Sequence, residues 1–158
     1  MKNTRFLLQA AVIAAIYVVL TFAVRPFSYG VVQVRVSEAL TILPVFTPAA
    51  IPGLFVGCLI ANMLGIYGLF DIVFGSSVTL LAAIGSYALR SKPILVPLPP
   101  VLANAFLVGG MLYYIYSVPY SLLVCILGVG IGEFVACYLI GYPLLKYLSK
   151  YKSIFELN

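Results

Sequence analysis

Residues 31–64 read VVQVRVSEALTILPVFTPAAIPGLFVGCLIANML, and this stretch decides what kind of protein the chain can be. Arg35 and Glu38 stand directly before apolar sequence, Pro44, Pro48 and Pro52 recur every fourth residue, and small residues lead on to Asn62. Prolines in a hydrophobic run are tolerated only where neighbouring protein re-satisfies the freed backbone groups. Charges at the edge of such a run are costly without partners. The stretch reads as a broken, pocket-building part of a membrane bundle.

The remainder of the chain fits that setting. Of 158 residues, 64% are hydrophobic and 8% are charged, whereas a soluble domain carries roughly 25% charged residues. Such a chain cannot cover its surface in water. Spans of about 20 residues fit five or six times into this length, so we expect an all-α, single integral membrane domain over residues 1–158 lying in the lipid bilayer. Little is left for a soluble domain, which weighs against a self-contained enzyme. The net charge of +5 comes from basic residues at segment ends rather than from a patch, so nucleic acid is not expected as a partner. Cys58, Cys125 and Cys137 all lie in apolar runs, and an odd number without paired spacing reads as free buried thiols. There is no histidine, which removes the commonest general base and metal ligand. Neither a cofactor nor a metal is expected.

Six spans are read along the chain. Lys2 and Arg5 precede an apolar run from Phe6 to Val24 that is too long for a signal peptide and reads as a true first span. Its Ala10, Ala14 and Ala11, Ala15 form two overlapping small-residue pairs, a stripe that lets another helix approach closely. A loop over 25–37 follows, in which Val32, Val34 and Val36 alternate with Gln33, Arg35 and Ser37, a period of two that predicts a short strand. The second span, near 37–47, is short and broken: 11 residues of α-helix reach only about 16 Å. The third, near 49–67, carries Gly53, Gly57, Ala61 and Gly65 as a ladder that packs against protein. The fourth covers about 71–89, the fifth about 98–117 and the sixth about 119–146. With six crossings, Lys2, Arg5, Arg90, Lys92, Lys146, Lys150 and Lys152 share one side against Arg25 and Arg35, which places both termini in the cytoplasm.

Counting down that topology gathers the candidate site. Arg35, Glu38 and Asp71 lie at outer ends of spans, Asn62 lies about 8 Å deep, and Asn104 and Glu133 lie roughly 20 Å deep. This is the profile of a cavity open to the outside. Each residue has a plainer reading too. Arg35 and Glu38 can form a solvated loop pair, Asp71 a helix cap, and Asn104 a tie between helices. Tyr116 and its neighbouring tyrosines can form an interfacial belt, and Ser76 and Ser77 can bond their own helix. Glu133 is the sharpest candidate, because a mid-span carboxylate costs about 2.5–3.5 kcal/mol. It is expected to be the principal carboxylate for a ligand's donor edge, with Asn104 assisting. No nucleotide-binding loop of the G-x-x-x-x-G-K-[ST] type is present, so any ATP-driven step belongs to another chain.

The segment VQVRVSEALTILP with PGLFVGCLIAN, then PPVLANA in span 5 and GVGIGE in span 6, resembles the QueT family. These are substrate-binding S components of energy-coupling factor (ECF) transporters for queuosine precursors, chiefly preQ1. The resemblance implies a six-helix S component in a bacterial cell membrane that captures substrate outside. It also implies a transmembrane coupling protein, EcfT, docked on Ala10 and Ala14 or on Ala11 and Ala15, and two ATPases, EcfA and EcfA'. PreQ1 is a 7-deazaguanine with an aminomethyl cation. Its paired N–H donors suit a carboxylate, its amine a second anion or aromatic face, and its ring aromatic walls. Glu133, Asn104, Glu38, Asp71, Asn62, Arg35 and Tyr116 form the expected binding set. The alternatives are an S component for another vitamin-like compound and a stand-alone carrier or channel with Glu133 and Asp71 as relay groups. The second lacks the repeated halves of many carriers. A membrane enzyme lacks a nucleophile–base pair.

Overall fold

The computed structural model describes residues 2–24, 34–65 and 68–155. Six helices follow in order. They are α1 (Lys2–Ala23), α2 (Val36–Val45), α3 (Ala50–Met63), α4 (Asp71–Ala88), α5 (Pro93–Tyr114) and α6 (Leu122–Tyr151). Four of them, α1, α4, α5 and α6, are long and apolar enough to cross a membrane, while α2 and α3 have 10 and 14 residues.

Local chemistry accounts for the boundaries. No Gly or Pro interrupts α1. Gly68, at φ +80, turns the chain before α4 in a conformation that side chains resist. The first turn of α5 uses Pro93, whose fixed φ suits a helix start. Ser121, in extended backbone, accepts from the Val124 N–H at 3.4 Å and caps α6. Wide π turns open α4 (Asp71–Gly75) and lie within α5 (Asn104–Val108) and α6 (Val135–Gly141).

The short second helix is the axis of the bundle. It is a 3-10 helix, which at about 2 Å per residue reaches roughly 20 Å, longer than an α-helix of the same length. All residues from Ser37 to Pro44 are buried, because α1, α3, α4 and α6 pack around them. Close approach depends on glycine. A Cβ on Gly141 of α6 would stand 3.1 Å from the Ala39 carbonyl oxygen. On α3, a Cβ on Gly53 would stand 2.7 Å from Ala10 O, and one on Gly57 3.0 Å from Ala14 O. The ladder of α3 therefore seats α1. Two apolar cores result, one gathering Ile13, Leu40, Ile42 and Leu54, the other Val78, Val108, Leu112 and Val129 between α4, α5 and α6.

The expected strand does not form among the described residues. Val32 and Gln33 lie outside them, as does the loop from 25 to 33, while Val34 and Arg35 have no regular structure. Val36 and Ser37 already belong to α2. A three-step alternation is outweighed by the burial gained when those residues join the central helix. The fifth helix begins earlier than expected, at Pro93, whose fixed φ suits a helix start, and the sixth runs on to Tyr151.

Candidate functional site: a buried polar cluster

Glu38 on α2 is fully buried and stands at the centre of the polar groups. Its Oε1 accepts from the Tyr17 hydroxyl of α1 and from Thr79 Oγ1 of α4 at 3.2 Å. Its Oε2 has no hydrogen-bond partner among the described residues. A second tie joins the same helices, Thr21 Oγ1 to Ser37 Oγ at 2.8 Å. Thr41 Oγ1 donates to the Glu38 carbonyl at 2.6 Å. The Cys137 thiol of α6 lies 3.6 Å from that carbonyl and 3.7 Å from Glu133 Oε2, with one S–H to share.

A second arm reaches from α2 to α3 and α4. Arg35 Nη2 lies 3.6 Å from Asp71 Oδ2, and Nη1 lies 4.0 Å from Cys58 Sγ. Asn62 Nδ2 donates to the Asp71 backbone oxygen at 2.9 Å and lies 3.4 Å from Cys58 Sγ. Thr79 Oγ1 is 3.3 Å from the same sulfur. Cys58 is thus the hinge between the two arms. Gly75, in the π turn of α4, keeps the space clear, since a Cβ there would stand 3.1 Å from both Asn62 Nδ2 and Asp71 Oδ1.

The cluster is short of donors. Buried oxygens of Glu38, Asn62, Asp71 and Ser76 lack hydrogen-bond partners among the described residues, where most buried polar atoms in proteins are satisfied. Its acids are Glu38, Asp71 and Glu133, and Glu133 is within electrostatic reach of Glu38 and Arg35. An enclosed set of carbonyl and carboxylate oxygens is built to receive N–H donors. Among the described residues no group of three His, Cys, Asp or Glu side chains is placed to hold a metal ion.

Five of the expected site residues, Arg35, Glu38, Asn62, Asp71 and Glu133, are brought together here. Asn104 and Tyr116 are not. Asn104 donates to Pro100 O of its own helix at 3.0 Å and ties no second helix among the described residues, and Tyr116 packs half-buried on the Val78–Val108 core. The reading of Arg35 and Glu38 as a solvated pair is overturned, because both are buried and Arg35 pairs with Asp71. Asp71 is not in the cap position, which Phe70 holds, and its Oδ2 has no hydrogen-bond partner among the described residues. Ser77 Oγ bonds Val73 O of its own helix at 2.7 Å, as expected, while Ser76 does not. Tyr17, Thr79, Cys58 and Cys137 were missed. A signal for two of them was present: Tyr17 continues the Ala10, Ala14 face of α1, and Thr79 lies one turn beyond Ser76.

The alanine stripe splits into two faces. Ala14 is buried and Ala10 half-buried against α3, whereas Ala11 and Ala15 are exposed. The exposed pair lines an apolar groove of about 470 Å³ with Val18, Val19, Val56 and Ile60.

Residues 7–150 match the model of a family described as QueT transporter. A curated relative, the queuosine precursor transporter QueT of Lactococcus lactis subsp. cremoris (strain MG1363), is 35% identical over 86 residues. The match covers 53% of this chain and 51% of that protein, so it spans about half the length of the relative. No solved structure matches the chain. With four helices fit to cross a bilayer, the family match makes this a multi-pass membrane protein.

Proposed function

This chain belongs to the QueT transporter family, and from that we propose that it is the substrate-binding S component of an ECF importer, taking up the queuosine precursor preQ1 from outside a bacterial cell. The observation that carries the reading is the enclosed cluster of acceptors in which Glu38 Oε2 and Asn62 Oδ1 have no hydrogen-bond partner among the described residues. PreQ1 is rich in what the cluster lacks. Its ring N–H and amino group form a two-donor edge for one carboxylate, and its aminomethyl cation matches another. Glu38 and Glu133 are the proposed pair for these groups, with Asp71, Asn62 and Arg35 around them. Asn104 and Tyr116 stand outside the cluster and join the site only if α5 shifts toward it.

In this reading all six helices cross the membrane, α2 as the short broken one, and both termini are cytoplasmic, as the basic residues of the shorter connections favour. The energy comes from EcfA and EcfA', coupled through EcfT. The test is calorimetry of the purified chain with preQ1, followed by ATP-dependent uptake in vesicles that carry all partners. Failure to bind any queuosine precursor would remove the reading.

The docking face is proposed on Ala11 and Ala15, the exposed pair of the stripe. Replacing either by Trp fills the groove along α1 and is expected to reduce uptake at least tenfold while preQ1 affinity stays within about twofold, since packing of small residues is what lets helices approach in a bilayer. Normal uptake by both variants would remove the docking face.

A further inference from the structure

The cluster holds more acid than base. Glu38, Asp71 and Glu133 are three of the chain's four acidic residues, and all three are buried. Arg35 is the one buried basic side chain among the described residues, and it pairs with Asp71. Arg35 is also within electrostatic reach of Glu38 and Glu133, so one guanidinium serves three enclosed carboxylates.

Apart from the Arg35 guanidinium, the groups around the two carboxylates are uncharged. Toward Glu38, α1 presents the Tyr17 hydroxyl, α4 presents Thr79, α3 presents Cys58, and α6 presents Cys137 and Glu133 itself. Toward Glu133, the same helix presents Cys137, and the α5 turn packed on α6, Asn104–Val108, carries no titratable side chain. Two like charges enclosed together are mutually repulsive; hydroxyls and a thiol supply only dipoles, and the single charge of Arg35, paired with Asp71, does not balance three carboxylates.

We infer that the empty site holds a proton on the Glu38–Glu133 pair and exchanges it for the single positive charge of the ligand. This rests on the reading of the site as one for a queuosine precursor. An alkylammonium titrates near 10, so the ligand enters as a cation at neutral pH. The carboxyl O–H breaks, its proton leaves to bulk water, and the ammonium takes its place, so the charge of the enclosed site is unchanged. A ligand with the same ring and no cation cannot make the exchange.

The experiment is calorimetry of the full-length purified chain in buffers of different ionisation heat, with preQ1 and with preQ0, which carries a neutral nitrile in place of the aminomethyl group. About one proton is expected to be released per preQ1 bound, with affinity rising up to about tenfold per pH unit between pH 6 and 8, as reciprocal linkage requires. PreQ0 is expected to bind at least tenfold more weakly and to release none. Glu133→Gln and Glu38→Gln each remove the shared proton and should abolish the release. Binding of preQ1 without proton release, or equal binding of preQ0 and preQ1, overturns the exchange while leaving the queuosine-precursor reading intact. Release that persists in both variants overturns the placement of the proton on the pair. If neither compound binds, the functional reading falls and this inference with it. The wild-type titration decides the exchange even if a variant fails to fold.

Discussion

Glu38→Gln is expected to weaken preQ1 binding by roughly a hundredfold or more. The substituted amide can still present an oxygen to Tyr17 and Thr79, which now hold Oε1. It then places an NH2 where Oε2 has no partner among the described residues, so a donor faces the donors of the ligand. A hydrogen bond to a charged group contributes about 1.5–3 kcal/mol, and two lost together amount to about 3 kcal/mol or more. At about 1.4 kcal/mol per factor of ten, that is a hundredfold. The variant should fold, because an amide is cheaper to bury than an ion. Calorimetry against the wild type checks it. Tyr17→Phe, which removes one of the donors to Oε1 and keeps the ring in the core, should cost only several-fold in affinity. Near-native affinity of Glu38→Gln would take Glu38 out of the site.

Gly57→Leu is expected to prevent the native bundle from forming, with a destabilisation of about 3 kcal/mol or more. The first carbon of any side chain there would stand 2.8 Å from Tyr17 Cβ and 3.0 Å from the Ala14 backbone. Overpacking a well-filled core costs typically 1–3 kcal/mol, and here the obstructing atoms include main chain, which has no rotamer to escape into. The shift needed to relieve the clash also draws Tyr17 away from Glu38, so ligand binding should be lost with stability. Gly110→Leu is the control, since a Cβ at Gly110 meets nothing within 4 Å. Thermal unfolding in detergent distinguishes the two. Equal midpoints for both variants would show that the seat of α1 on α3 is looser than described.

Much of this architecture was legible in the chain. The prolines and edge charges of residues 31–64 pointed to a broken helix inside a bundle, and Val36–Val45 is that helix. The i+4 ladder on α3 announced a close contact, and Gly53 and Gly57 make it with α1. Charge in an apolar run drew attention to Arg35, Glu38, Asp71 and Glu133, which the fold gathers. The pairings were not legible. Arg35 and Glu38 are neighbours in sequence, yet Arg35 reaches Asp71 instead, because the 3-10 twist of α2 sets the direction of Glu38. Asn104 and Glu133 were matched by depth alone, which says nothing about azimuth, and Asn104 turns into its own helix. Cys58 and Cys137 gave no warning because a thiol in an apolar run costs little and so stands out little.

The enclosure of α2 bears on how the protein is made. The eight residues Ser37–Pro44 are buried by protein, so little holds the segment in place when it first leaves the ribosome. The residues that close over it belong to α6: Cys137 meets the Glu38 carbonyl across 99 positions of sequence. Synthesis must therefore reach α6 before the central helix acquires its final neighbours, and until then Glu38 lacks the contacts that enclose it. Contacts that distant delay the decisive step of folding, and a chain halted after α5 should be a substrate for membrane quality control rather than a partial transporter.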